Sequence, residues 1–155
     1  MLEICSRTPP ANLAAKLQQP ADLEALFVSR LRSVNSVPLI VTDVWAPPHH
    51  ARQITAEKLR RQGISEILLA EGIHFEHVTE EITAVAADPH VATLLKVDIA
   101  APLLKMVRIV TAKGGVPVMH LTAYLTSERS KIVFDLDTDL LNTPNDGRLV
   151  HNVNA

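Results

Sequence analysis

The chain has 155 residues, with 15 lysines and arginines against 17 aspartates and glutamates and a formal charge of −2. That balance argues against a duplex-binding surface, which needs a basic face to displace counterions from phosphates. A single cysteine, Cys5, excludes an intramolecular disulfide, no apolar run approaches the roughly 20 residues that span a bilayer, and no leader pattern is visible, so the expected setting is a reducing cytoplasm. Apolar residues make up 47% of the chain and aromatics only 3%, so the core must be built from Leu, Val, Ile and Ala.

In chain order, a short strand precedes Pro9-Pro10, which flags a helix running through Leu17. Residues 26–34 and 37–45 read as two strands joined by a hairpin at Ser33-Val34-Asn35-Ser36. Helical spacing returns over 47–62 at Ile54 and Leu59, and Lys58, Arg60 and Arg61 read as its solvated face rather than as a nucleic-acid contact. A short helix over 65–71 is expected to be capped by Ser65 and ended by Gly72. A long strand over 73–87 follows. Asp88-Pro89 caps a second helix through Leu95, and residues 103–112 and 116–126 form a second hairpin. Residues 131–136 suggest a last strand. The remainder, 137–155, with its Asn145-Asp146-Gly147 turn signal, reads as a poorly ordered tail or a docking arm.

The two halves repeat. A shift of 78 residues lays Glu3-Ile4 on Glu81-Ile82, Ala14 on Ala92, Leu17 on Leu95 and Arg30 on Arg108. After one extra residue at the second hairpin turn, a shift of 79 lays Val37-Pro38 on Val116-Pro117 and Trp45 on Tyr124. Each half is therefore a short strand, a helix and a two-stranded hairpin. The expected class is α+β, a largely antiparallel sheet with short flanking helices and duplicated halves. Apolar residues on both faces of the long strands call for helices or a partner chain over the second face.

One ordered series of residues carries a family resemblance. Arg30-Leu31-Arg32, Val37-Pro38-Leu39, Trp45-Ala46-Pro47, Glu81-Ile82-Thr83-Ala84, Ala92 with Leu94-Leu95, Pro102-Leu103-Leu104, Gly115-Val116-Pro117-Val118, Tyr124, Arg129 and Phe134 together resemble the UTRA effector domain of HutC-type GntR transcription regulators. The resemblance implies a chorismate-lyase-like fold over about residues 1–136, a homodimer and a small effector in a cleft between sheet and helices. It also implies that operator DNA is bound only by a winged helix-turn-helix preceding this domain, which this sequence does not contain.

Arg30 and Arg32, two apart on a strand, send both guanidinium groups from one face, where their planar forks suit a carboxylate or phosphate. By resemblance these arginines hold the anionic end of the effector, and Ser65 lies where relatives place a phosphate-binding serine. Its alternative role is a plain N-cap. Thr42 and Met119 stand where sugar-sensing relatives carry carboxylates, and Leu125 stands at or next to their tyrosine. A sugar phosphate is therefore disfavoured, and an organic acid with a more apolar body is expected. Tyr124 either lines that pocket or belongs to the core.

No cofactor is called for. The histidines do not converge on a metal site: His49-His50 are neighbours in a proline-rich turn, and the His-x-Glu of His74 to Glu76 lacks paired cysteines. Two rival readings remain open. One is a chorismate-lyase-like enzyme acting on a small aromatic acid, with Glu81 as its one nameable carboxylate and no nucleophile beside a base. The other is a dimerisation module with a vestigial pocket.

Overall fold

The structure is a computed structural model and describes residues 2–133. Six strands, β1 (Glu3–Arg7), β2 (Ala25–Val34), β3 (Val37–Ala46), β4 (Phe75–Ala86), β5 (Pro102–Ala112) and β6 (Val116–Thr126), form one antiparallel sheet in the order β1-β2-β3-β6-β5-β4. The β2–β3 hairpin turns through Asn35 and Ser36, with φ of 50° and 64°. Two consecutive positive φ values give a turn whose twist matches that of the strands it joins. The β5–β6 hairpin turns through Gly114 and Gly115, with φ of 75° and 74°, which explains its glycine pair without a phosphate loop.

Exchanging β1, β2 and β3 for β4, β5 and β6 reproduces the strand order, so the sequence repeat is a repeat of structure. The registers agree residue by residue. Glu3 faces Ser29 and Leu26 faces Ala46 in the first half; Glu81 faces Val107 and Leu104 faces Leu125 in the second. The halves meet where β3 pairs with β6, and there Asp43 faces Thr122, its own counterpart under the 79-residue shift. A local two-fold axis therefore crosses the sheet at that pair.

Two helices, α1 (Ala11–Lys16) and α5 (Pro89–Leu95), occupy equivalent places on one face. Leu17, at the end of α1, packs with Ala25, Phe27 and Trp45, and α5 buries Val91, Ala92 and Leu95 against Val41 and Leu103. The opposite face receives the segment between the halves, which forms α2 (Pro48–Ala51), α3 (Ala56–Arg61) and α4 (Ile64–Ala70). Ile54, Leu59, Ile64, Ile67 and Leu68 from this segment pack on Val28, Val44, Val110 and Met119. Both sheet faces are thus covered in part by helices, as their apolar content requires.

Helix starts follow local chemistry. Asp88 Oδ1 accepts from the Val91 N–H at 2.9 Å, and Thr55 Oγ1 accepts from the Lys58 N–H at 3.3 Å. Ser65 does not cap α4. The helix begins two residues earlier, with Gly63 at its N-cap, and the Glu66 carboxylate accepts from the Gly63 N–H at 2.9 Å. The strand expected over 131–136 is not formed at 131–133, and the rest of it, Phe134 and the 137–155 tail all lie outside the described residues.

The repeat also locates an anomaly. His120 is the counterpart of Val41, and it is only 3% exposed. Neither ring nitrogen has a hydrogen-bond partner among the described residues. Burial, with the nearby Lys16 and Lys105 ammonium groups, pushes its pKa down to about 4, against a small opposing pull from Glu81. The ring is therefore held neutral in a slot that is filled by valine in the other half.

Two stability measurements test these assignments. Asp88→Ala should cost about 1 kcal/mol in urea unfolding through loss of the α5 cap. The folded His120 binds its proton less readily than the unfolded chain, so stability should be whole above pH 6.5 and should fall by up to about 3 kcal/mol as pH drops from 6.5 to 4. His120→Val, which copies Val41, should flatten that part of the pH profile and leave the protein at least as stable at pH 7.

Candidate functional site

The inter-half segment covers only one end of its sheet face. Register and alternation place Arg30 and Arg32 of β2, Ile40 and Thr42 of β3, Ala123 and Leu125 of β6, Leu104 and Met106 of β5, and Ile82 and Ala84 of β4 on the uncovered end. Ile40, Leu104, Met106, Leu125 and Ile82 belong to none of the three buried clusters. The result is an open shelf of apolar side chains. It is walled on one side by the α3–α4 turn and edged by the arginine pair.

The two arginines differ sharply. Arg30 is half-buried, and its Nη2 donates to the Leu59 carbonyl at 2.8 Å while Nη1 reaches the Gln62 carbonyl at 3.4 Å. These are carbonyls of the last turn of α3, where helix geometry leaves acceptors without a partner and the helix dipole favours a cation. The Gly63 N–H, which an added turn of helix would direct to Leu59, is taken by Glu66 instead. Arg30 is thus a C-terminal cap delivered from the sheet. Burial and the neighbouring Arg32 charge lower its pKa. Arg32 is exposed and has no hydrogen bond or ion pair among the described residues, so its fork is available to an incoming anion.

The other expected site residues divide. Thr42 lies half-buried on the shelf, directly across from Arg30. Ser65 is half-buried in the first turn of α4, at the rim, but the carboxylate of Glu66 already occupies that turn and disfavours a second anion there. Met119 shares the face but is 1% exposed beneath α3 and α4, so it belongs to the core rather than to the open surface. Tyr124 points to the opposite face, where it packs with the α5 cluster, and burial raises its pKa. The structure therefore brings together Arg30, Arg32 and Thr42, sets Ser65 in the helix that follows the α3 end held by Arg30, and leaves Met119 and Tyr124 apart.

Two polar arrangements go beyond the expected site residues. Arg108, the counterpart of Arg30, pairs with Glu80 through both Nε and Nη2 at 2.5 Å on the β5–β4 side of the same face. Arg129 Nη1 donates to the Pro38 carbonyl at 3.1 Å and the Leu95 carbonyl at 3.2 Å, capping α5 as Arg30 caps α3. The repeat pointed to Arg108; its carboxylate partner sits on an adjacent strand and is visible only once the register is known. Among the described residues no three metal-ligating side chains cluster, and no helix is long and apolar enough to cross a membrane.

A family model described as the UTRA domain matches residues 1–131. The chain belongs to the UTRA domain family. Its fold is that of solved ligand-binding domains of GntR-family regulators. The structure described as the ligand-binding domain of a GntR-family transcriptional regulator from Bordetella bronchiseptica superposes with a TM-score of 0.79 at 28% identity, covering 88% of this chain and 87% of that one. A transcriptional regulator from Streptomyces coelicolor also gives 0.79 at 28% identity, covering 84% and 86%. The regulator YydK from Bacillus subtilis gives 0.80 at 18% identity; this UTRA domain covers only 60% of that chain, and the likeness is one of fold. No curated protein matches.

The contrast between the arginines is directly measurable. Arg30→Ala leaves two helix-end carbonyls without their cation and should destabilise the domain by about 1–2 kcal/mol in chemical denaturation. Arg32→Ala, which removes no internal contact, should stay within about 0.5 kcal/mol of the parent.

Proposed function

We propose that this domain is the ligand-sensing, dimerising part of a HutC-type GntR transcription regulator, and that it binds a small anionic effector on the open shelf. The observation that carries the reading is Arg32, an unpaired guanidinium beside Thr42 and an apolar floor, in a fold shared with ligand-binding domains of regulators. Arg30 completes the cationic edge, and Ser65 offers a hydroxyl at the rim. Met119 contributes from the core under α3 and α4 and Tyr124 from behind the sheet, through packing. Effector binding bridges the shelf and the α3–α4 wall, which biases how the dimer presents DNA-binding domains joined to it; the effect is a population shift and not a chemical step.

The dimer contact is assigned to the other face. Between α1 and α5 a strip of sheet that no described residue covers lies where the local two-fold axis crosses, with Asp43 and Thr122 at the axis and Val107 and Ile109 beside it, all half-buried. A second copy seated there would cover the apolar positions that neither helix reaches. The lyase alternative is less well supported, because Glu81, its one candidate carboxylate, is exposed on that same α1/α5 face, with the sheet between it and Arg30.

Thermal denaturation across a panel of organic acids and phosphorylated metabolites tests the sensor reading. An acid present at about 100 times its Kd should stabilise by about 2.7 kcal/mol, and Arg32→Ala should abolish the shift. If no anion raises the melting temperature, the sensor assignment fails; turnover of chorismate would replace it with the enzyme. In sedimentation velocity, Val107→Asp should convert a dimer into a monomer without unfolding it.

A further inference from the structure

The proposed effector reading leaves the chemistry of the ligand's body open, and the shelf constrains it. From Arg32 the floor runs through Ile40, Leu125, Leu104 and Met106 to Ile82, the last of these 39% exposed at the β4 edge. Those residues cross β3, β6, β5 and β4, a span of about 14 Å at roughly 4.8 Å per strand. Along it Ala84 adds only a methyl group, Ala123 is fully buried, and Thr42 is the one hydroxyl among the described residues. Besides Arg30, this face carries Arg108, which Glu80 neutralises through two donors to one carboxylate oxygen. Among the described residues, a ligand lying here meets one free cation at one end and mostly hydrocarbon for the rest of its length.

We infer that the effector is an elongated amphipathic monocarboxylate, with its carboxylate on Arg32 and an unbranched or aryl-alkyl body laid across β3, β6 and β5 toward Ile82. This rests on the effector reading and sharpens it. A hydroxyl-rich sugar would bury its polar groups against Ile40, Leu104, Met106 and Leu125 without partners, at a cost for each unpaired hydroxyl. A short acid such as acetate would satisfy Arg32 and leave the shelf wet. A compact dianion would find a single available arginine, since Arg30 is engaged by Leu59 and Gln62 and the first turn of α4 holds Glu66. Each methylene removed from water adds about 0.8 kcal/mol, so chain length should act on affinity directly.

The test is calorimetric titration of the full 155-residue chain with acetate, hexanoate, octanoate and decanoate below their micelle concentrations, and with inorganic phosphate. Affinity should tighten two- to fourfold per added methylene, with phosphate and acetate the weakest. Arg32→Ala should weaken every acid by about tenfold while preserving that dependence, whereas Ile82→Asp or Met106→Asp should flatten it at the longer lengths and spare hexanoate. If phosphate or acetate binds as tightly as decanoate, the inference is wrong and the effector reading stands. If no anion of any length binds, both fall. A dimer that excludes decanoate and is broken by Met106→Asp would show that a second copy occupies the shelf, and would also overturn the inference.

Discussion

The pairing of β3 with β6 is the constraint from which the architecture follows. It is where the two halves of the sheet join, and it joins like to like: Asp43 against Thr122, each the other's counterpart in the repeat. Once that register is set, two copies of the same strand, helix and hairpin unit lie side by side around a local axis. Their helices must then emerge on the same face. A one-residue slip would turn every side chain of one half to the wrong face, so the apolar pattern of both hairpins holds the seam in place.

The opposite face has no share in that symmetry. What covers it is the segment between the halves, present once in the chain, and three short helices are not enough to cover a six-stranded sheet. They settle on the end where Val28, Val44, Val110 and Met119 converge. The shelf is the remainder. The open shelf thus arises from a mismatch between a doubled sheet and an undoubled cover, and its polar edge falls at the boundary between the two.

Much of this was legible in the sequence because it depends on periodicity and punctuation. The hairpins, the Asp88 cap and the repeat are local signals or exact-length offsets, and each stands as read. What the local signals misplaced or left open has a common cause. Ser65 looked like a cap because serine commonly is one, but Glu66, one residue further on, satisfies Gly63 and starts the helix earlier. Tyr124 and Met119 lie on one strand, β6, but face opposite ways: alternation sends Tyr124 to the α5 face, and the inter-half helices bury Met119. Nothing local in either residue distinguishes a pocket wall from a core. The arginine pair was found from its spacing, yet spacing could not show that one member already serves α3.

That division of labour has a thermodynamic consequence. A guanidinium can satisfy the carbonyls of Leu59 and Gln62 or turn its fork fully to a ligand, but its donors are finite. An anion that turned the N–H groups now on Leu59 and Gln62 to itself would compete with the end of α3, while an anion content with Arg32 would not. An anion held by Arg32 alone would leave the end of α3 capped; one that drew Arg30 away from it would uncap it. Two ligands of equal affinity, differing only in how deeply they reach along β2, would leave this domain in mechanically different states.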